Sequence, residues 1–182
     1  MTGPRRLRVT LAALVLAAMA TSCGTAASHA DPTCVPKGPD TLILLAQSVP
    51  TAQKIPCIAS YPAGWHFASM DIRSGGSHFT LDSDRAGISA VRVSLQHHCD
   101  VSGATEIPSD EPGARRFERV LSVVDDFRAI RLYEFEGGCV TYRFNFDRQG
   151  RALVNEVSVA IGFISRATVD ELVRERTSAE RV

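Results

Sequence analysis

The sequence predicts an α+β domain: an antiparallel sheet of about five or six strands with one N-terminal and two C-terminal helices, stapled by two disulfides. Three observations carry this expectation. Apolar and polar residues alternate with period two through much of positions 55–147. Helix-forming patterns are confined to the segments before and after that stretch. Cys34, Cys57, Cys99 and Cys139 form an even set in a chain that opens on an export signal.

The export signal comes first. Arg5, Arg6 and Arg8 precede an apolar run from Val9 to Ala20 that only Thr10 interrupts. A membrane-spanning helix takes roughly 20 apolar residues, so this shorter run fits the apolar region of a signal peptide spanning residues 1–22. Residues 23–39, rich in Ala, Thr, Pro and Gly, read as a tether, and residues 40–182 as a single domain. Asp40 suits the N-cap of a short helix over Thr41–Gln47, which Pro50 limits.

From Ile55 the pattern turns to strands. Trp65 to Ile72 and His78 to Leu81 flank the turn Ser74-Gly75-Gly76-Ser77, with Phe79 and Leu81 expected inward. Val91, Val93 and Leu95 alternate with Arg92, Ser94 and Gln96, the mark of a half-buried strand. Residues 100–114 read as a polar loop, and Arg116–Val123 as a further strand. Residues 129–147 form a hairpin around Gly137-Gly138, its second arm alternating Val140, Tyr142, Phe144 and Phe146 with polar partners. Leu153, Val157 and Ile161 fit a helix stopped by Gly162, with β-branching leaving a strand open. Thr168-Val169-Asp170-Glu171 reads as the capping box of a final helix.

Composition excludes more than it assigns. An apolar share of 45% with 22% charged residues suits a folded chain rather than a disordered one. Discarding Arg5, Arg6 and Arg8 with the leader leaves the remainder mildly acidic. Such a domain has no general attraction to phosphate backbones, so nucleic acid is not an expected partner. No nucleophile elbow, H-E-x-x-H, phosphate-binding loop, EF-hand or dinucleotide fingerprint is present. His97-His98-Cys99-Asp100 crowds four metal-ligand types together, but neighbours on a strand point to opposite faces, and a disulfide at Cys99 is the stronger expectation. No metal or cofactor is expected.

Four cysteines allow three pairings, and chain order favours Cys34–Cys57 and Cys99–Cys139. Two groups of residues are candidate ligand faces. Tyr61, Trp65 and Phe67, near Pro62 and Gly64, suit a sugar or lipid groove; the competing reading puts them in the core. Arg115, Arg116 and Arg119, beside Arg131 and Arg143, suit a basic patch for anionic lipid or wall polymer; the competing reading pairs them with Glu118, Glu134 and Glu136 across strands.

Ala20-Thr21-Ser22-Cys23 resembles the lipobox of bacterial lipoproteins, departing from it at Ala20, where that family usually has Leu. The resemblance implies diacylglyceryl attachment at Cys23 and anchoring at the outer face of a membrane. The alternative is cleavage after Ser28-His29-Ala30 and release of a secreted chain from Asp31. With Lys37 and Lys54 the only lysines and two disulfides expected, the chain as a whole is similar to actinobacterial exported lipoproteins. The expected function is a non-catalytic envelope domain that binds a wall or lipid ligand or an envelope protein. The alternatives are a hydrolase using His66, His97 or His98, and an accessory or sensing subunit of a membrane complex.

Overall fold

The computed structural model describes residues 30–34, 40–147 and 150–179; the leader, Cys23 and the lipobox lie outside them. Helix α1 (Asp40–Ser48) is followed by β1 (Lys54–Ile58) and then by β2 (Trp65–Arg73), β3 (Gly76–Ser83) and β4 (Gly87–Gln96). A short β5 (Thr105–Ile107) leads into β6 (Ala114–Ser122), β7 (Phe127–Phe135) and β8 (Gly138–Phe146). Helix α2 (Arg151–Ala160), β9 (Ile161–Ser165) and α3 (Arg166–Ala179) complete the described chain. The fold is α+β.

The main sheet has seven antiparallel strands in the order β2-β3-β4-β8-β7-β6-β5. It is two meanders, β2–β4 and β5–β8, joined where β4 pairs with β8 from Val91↔Phe144 to Gln96↔Cys139. One face carries Phe79, Leu81, Val91, Val93, Leu95, Val140, Tyr142, Phe144 and Phe146, all buried beneath the helices. The alternation read from sequence in β4 and β8 therefore points the expected way. The other face is open and polar, except where the β4–β5 connection crosses it. There Cys99, Val101 and Ala104 pack on Phe117, Ile130 and Leu132.

Several sequence expectations shift. The sheet has one or two strands more than expected, because β5 lies inside the segment read as loop and pairs with β6 from Thr105↔Glu118 to Ile107↔Arg116. Helix α2 stops at Ala160, and Ile161 is already extended at φ −103° and ψ 119°. Residues 161–165 instead form β9, antiparallel to β1 in a separate two-stranded sheet. The last helix begins a turn earlier than the capping box at Thr168 implies. Ser165 supplies the cap, its Oγ accepting from the Thr168 amide at 3.1 Å.

Both disulfides pair as expected, Cys34–Cys57 and Cys99–Cys139, with Cα separations of 4.9 and 5.8 Å. The first fastens residues already docked on the domain: the Cys34 amide donates to Ile58, and the Ile58 amide to Pro32. The stretch read as tether is thus bound to β1 by its residues 32–34. The second pins the crossing connection to the start of β8. Helix α1 is closed at its C-terminus by Arg166, whose guanidinium donates to the carbonyls of Ala46, Val49 and Ala52 at 2.8 Å each. That contact satisfies carbonyls a helix end otherwise leaves orphaned.

Candidate functional site

Helix α2 runs along the sheet and buries Val154, Val157 and Ala160, while Phe163 of β9 packs on Tyr133, Phe135 and Tyr142. Between α2 and the β6–β7 hairpin, the helix-side face of the sheet is left partly uncovered. The result is a cleft of 130 Å³ walled by Val120, Phe127, Ala129, Phe144 and Val154. A volume of roughly 150 Å³ holds a single aromatic ring, which sets the scale of what fits.

The floor of this cleft is charged. Arg131 stands on the helix-side face between Ala129 and Tyr133, and its side chain is only 7% exposed. Its Nε donates to Glu118 Oε1 at 2.6 Å, directly across the β6–β7 register. Its guanidinium carbon lies 5.9 Å from the Phe144 ring centroid, a cation–π approach. The two terminal nitrogens make no hydrogen bond to any described residue. Of the charged lining side chains, Arg131 and Arg151 stand against Glu118, while Arg119 borders the cleft from β6 with its side chain on the opposite face; the lining holds neither a histidine nor a hydroxyl or thiol nucleophile.

Behind the cleft the network continues. Arg116 pairs with Glu118 at 3.5 Å and with Asp110 at 3.0 Å, and the Tyr133 hydroxyl donates to Asp110 at 3.0 Å. Burial pushes the Tyr133 phenol up to about 12. Burial also pushes the Asp110 carboxyl upward, but hydrogen bonds from Arg116 and Tyr133 outweigh it and hold the group below its ordinary range. The Tyr142 hydroxyl is buried with no partner among the described residues. Glu118 is therefore the shared counterion of two arginines. Glu118→Ala is expected to destabilise the fold by about 2–3 kcal/mol by chemical denaturation, somewhat less than breaking a fully buried pair because Glu118 is partly exposed. Arg131→Met is expected to cost less, because Glu118 then keeps Arg116. Equal losses in the two variants would contradict this sharing.

The sequence candidates separate on the structure. Trp65 is core, 4% exposed, with Nε1 donating to Glu156 at 2.8 Å, and Phe67 packs against the same core. Tyr61 is exposed, and its hydroxyl donates to Asp31 at 2.7 Å. The three aromatics thus divide between the core and the surface. The basic group also divides: Arg115, Arg119 and Arg143 lie on the open face, and Arg116 and Arg131 on the helix-side face, as the cross-strand register requires. Arg115 is paired with Glu106 and Glu134, so the cross-strand pairing weighed against a basic patch holds for Arg115, Arg116 and Arg131. Sequence reasoning found Arg131 but gave it no special place. Its signal is a charged residue inside a strand buried on both sides.

The histidine candidates sit elsewhere. His97, His98, Glu134 and Thr51 border a wider depression of 510 Å³ by the β7–β8 turn. The Thr51 hydroxyl donates to the Gly137 carbonyl at 2.6 Å, which leaves His97 Nδ1, 3.3 Å away, as the donor to Thr51. A base activating a hydroxyl needs the opposite polarity. His66 is exposed, 3.9 Å from Asp82. Cys99 is committed to its disulfide. Compared with known proteins, the chain matches no family model, no curated protein and no solved structure.

Glu156 ties α2 to Trp65, the single tryptophan, and gives a spectroscopic handle. A hydrogen bond from Arg85, with a second from Trp65, holds the Glu156 carboxyl below its ordinary 4.5. A lowered carboxyl contributes stability above the unfolded value and loses it as pH falls through the folded one. Trp65 emission is expected to stay constant from neutral pH down to about 4.5 and to change only below it. Glu156→Gln should abolish that transition. A Trp65 transition centred above the ordinary carboxyl range would contradict the assignment.

Proposed function

We propose that the chain is an exported cell-envelope domain, anchored through Cys23 at the outer face of a membrane, that binds an amphipathic ligand with an anionic head and does no chemistry on it. The observation carrying this reading is Arg131: a guanidinium buried at the floor of an apolar cleft with two terminal nitrogens free of acceptors among the described residues. Guanidinium matches carboxylate and phosphate heads, and the ring walls suit an apolar body. Val120 carries the apolar wall outward to the exposed hairpin tip of Leu121, Val123 and Val124, along which a longer tail would run. The leader, the lipobox-like Cys23 and the two disulfides support the location. Among the described residues no helix is long and apolar enough to cross a membrane.

Octanoate, measured by calorimetry, tests the cleft. It is expected to bind the folded chain more tightly than octanol, and to lose roughly tenfold in affinity in Arg131→Gln. Asn155→Trp, which fills the mouth from exposed α2 without touching the ion pair, should weaken both probes. Unchanged octanoate binding in both variants would end this reading of the cleft. Intact mass of membrane-extracted protein, with and without reduction, tests the location: an acylated Cys23 and four oxidised cysteines are expected. A retained Met1 with free thiols would refute it.

A further inference from the structure

The strand arginines fall into two sets. Arg73, Arg115, Arg116, Arg128 and Arg131 are each ion-paired with a carboxylate. Arg92, Arg119 and Arg143 have no such pair among the described residues. These three share one row. Arg92 on β4 lies directly opposite Arg143 on β8, Arg143 lies opposite Ile130 on β7, and Ile130 opposite Arg119 on β6. All three therefore project from the open face. With strands about 4.8 Å apart, Arg143 is one spacing from Arg92 and two from Arg119.

Like charges placed directly opposite across strands destabilise a sheet, so the Arg92–Arg143 pair is a cost carried without an ion-paired carboxylate among the described residues. Arg119 spends Nη1 on the Ser102 carbonyl at 2.7 Å, and its Nε is buried with no partner among the described residues. Between Arg143 and Arg119, under the β4–β5 connection, lies a depression of 270 Å³ bordered by His98, Asp100 and Thr141. Asp100 is the carboxylate that borders this depression. Its charge is committed first to Ser102, whose hydrogen bonds hold the carboxyl below its ordinary range ahead of any effect of Arg119.

We infer that this row is a second binding site, separate from the cleft, for a phosphate-bearing anion. Two guanidinium groups one strand apart bracket a single phosphate, and Arg119 reaches a second anionic group about 10 Å from Arg143. Arginine rather than lysine is the side chain whose planar fork suits this geometry. The chemistry is shared by free polyphosphates and by phospholipid headgroups, and the test has an arm for each.

Inorganic pyrophosphate is the first probe, titrated into the full chain at fixed ionic strength with melting temperature as readout. At ten times its dissociation constant, it is expected to raise the midpoint by about 3–5 °C. Arg92→Gln with Arg143→Gln should abolish the rise, while without pyrophosphate the double variant melts higher than the parent, since the like-charge pair is gone. Arg128→Gln removes one open-face charge that is already paired with Asp126 and should keep the rise. The second probe is sedimentation with phosphatidylglycerol vesicles against phosphatidylcholine vesicles, all chains carrying Cys23→Ser so that no anchor contributes. Selective retention that the double variant loses assigns the phosphate to lipid headgroups; a pyrophosphate response without retention assigns it to a free anion. Absence of both responses, or equal responses from the double variant and Arg128→Gln, would overturn the site. The octanoate titration is unaffected by this double variant, so the two sites fail or stand separately.

Discussion

Reducing both disulfides is expected to lower the melting temperature by about 15–25 °C. Cys34–Cys57 closes a separation of 23 residues and Cys99–Cys139 one of 40. In the chain-entropy account these correspond to roughly 3.4 and 3.9 kcal/mol, and because the two loops do not overlap the effects add. Their sum is comparable with the whole net stability of a typical domain, about 5–15 kcal/mol. The two bonds fail differently. Opening the first frees residues 30–34 from β1 and leaves the sheet intact. Opening the second releases the connection that covers Phe117, Ile130 and Leu132, exposing the smaller core. Thermal melts of the two single-bond variants, with thiols counted, resolve the contributions. A shift below about 5 °C with both bonds open would contradict the account.

Gly137→Ala is expected to cost about 3–4 kcal/mol, more than any surface substitution in this chain. Gly137 has a φ of +74°, a left-handed conformation that disfavours a side chain. A Cβ there would also overlap the backbone carbonyl of Thr51, because the β7–β8 turn is docked on the α1–β1 connection. Thr51 Oγ1 donates to the Gly137 carbonyl, and the Gln53 amide to Glu136 at 3.1 Å. Gly75 is the control: its φ is +90°, yet nothing lies within 4 Å of an added Cβ. Gly75→Ala should cost only about 1 kcal/mol, so the difference isolates the close approach. Equal denaturation midpoints would show that backbone strain alone decides both.

The parts of the fold legible in the sequence are those whose neighbours are local. β4 and the second half of β8 face helices on one side and solvent on the other, so Val91 to Leu95 and Tyr142 to Phe146 alternate as half-buried strands must. The hairpin turns at Gly75 and Gly137 announce themselves through residues that tolerate positive φ. β9 was hidden because its partner, β1, lies at the other end of the domain, and Ile161 to Ile164 alone reads equally as the end of α2. β5 is three residues in a polar stretch, too short to alternate. The cleft escaped for a related reason. β7 is buried on both faces, so its alternation does not say which way Arg131 points, and only the register with Glu118 places the pair. The unpaired arginine row needs that register across four strands at once.

The pairing of β1 with β9 gives the molecule an order of assembly. In any chain made from its N-terminus, β1 waits with an unmatched edge until all seven strands of the main sheet have been synthesised. Only then does Phe163 reach the Tyr133 and Tyr142 rings, and Arg166 the carbonyls ending α1. Joining such distant segments costs loop-closure entropy before any contact repays it. A half-made chain meanwhile offers β1 to any stray extended peptide, which is when a holding chaperone has most to protect.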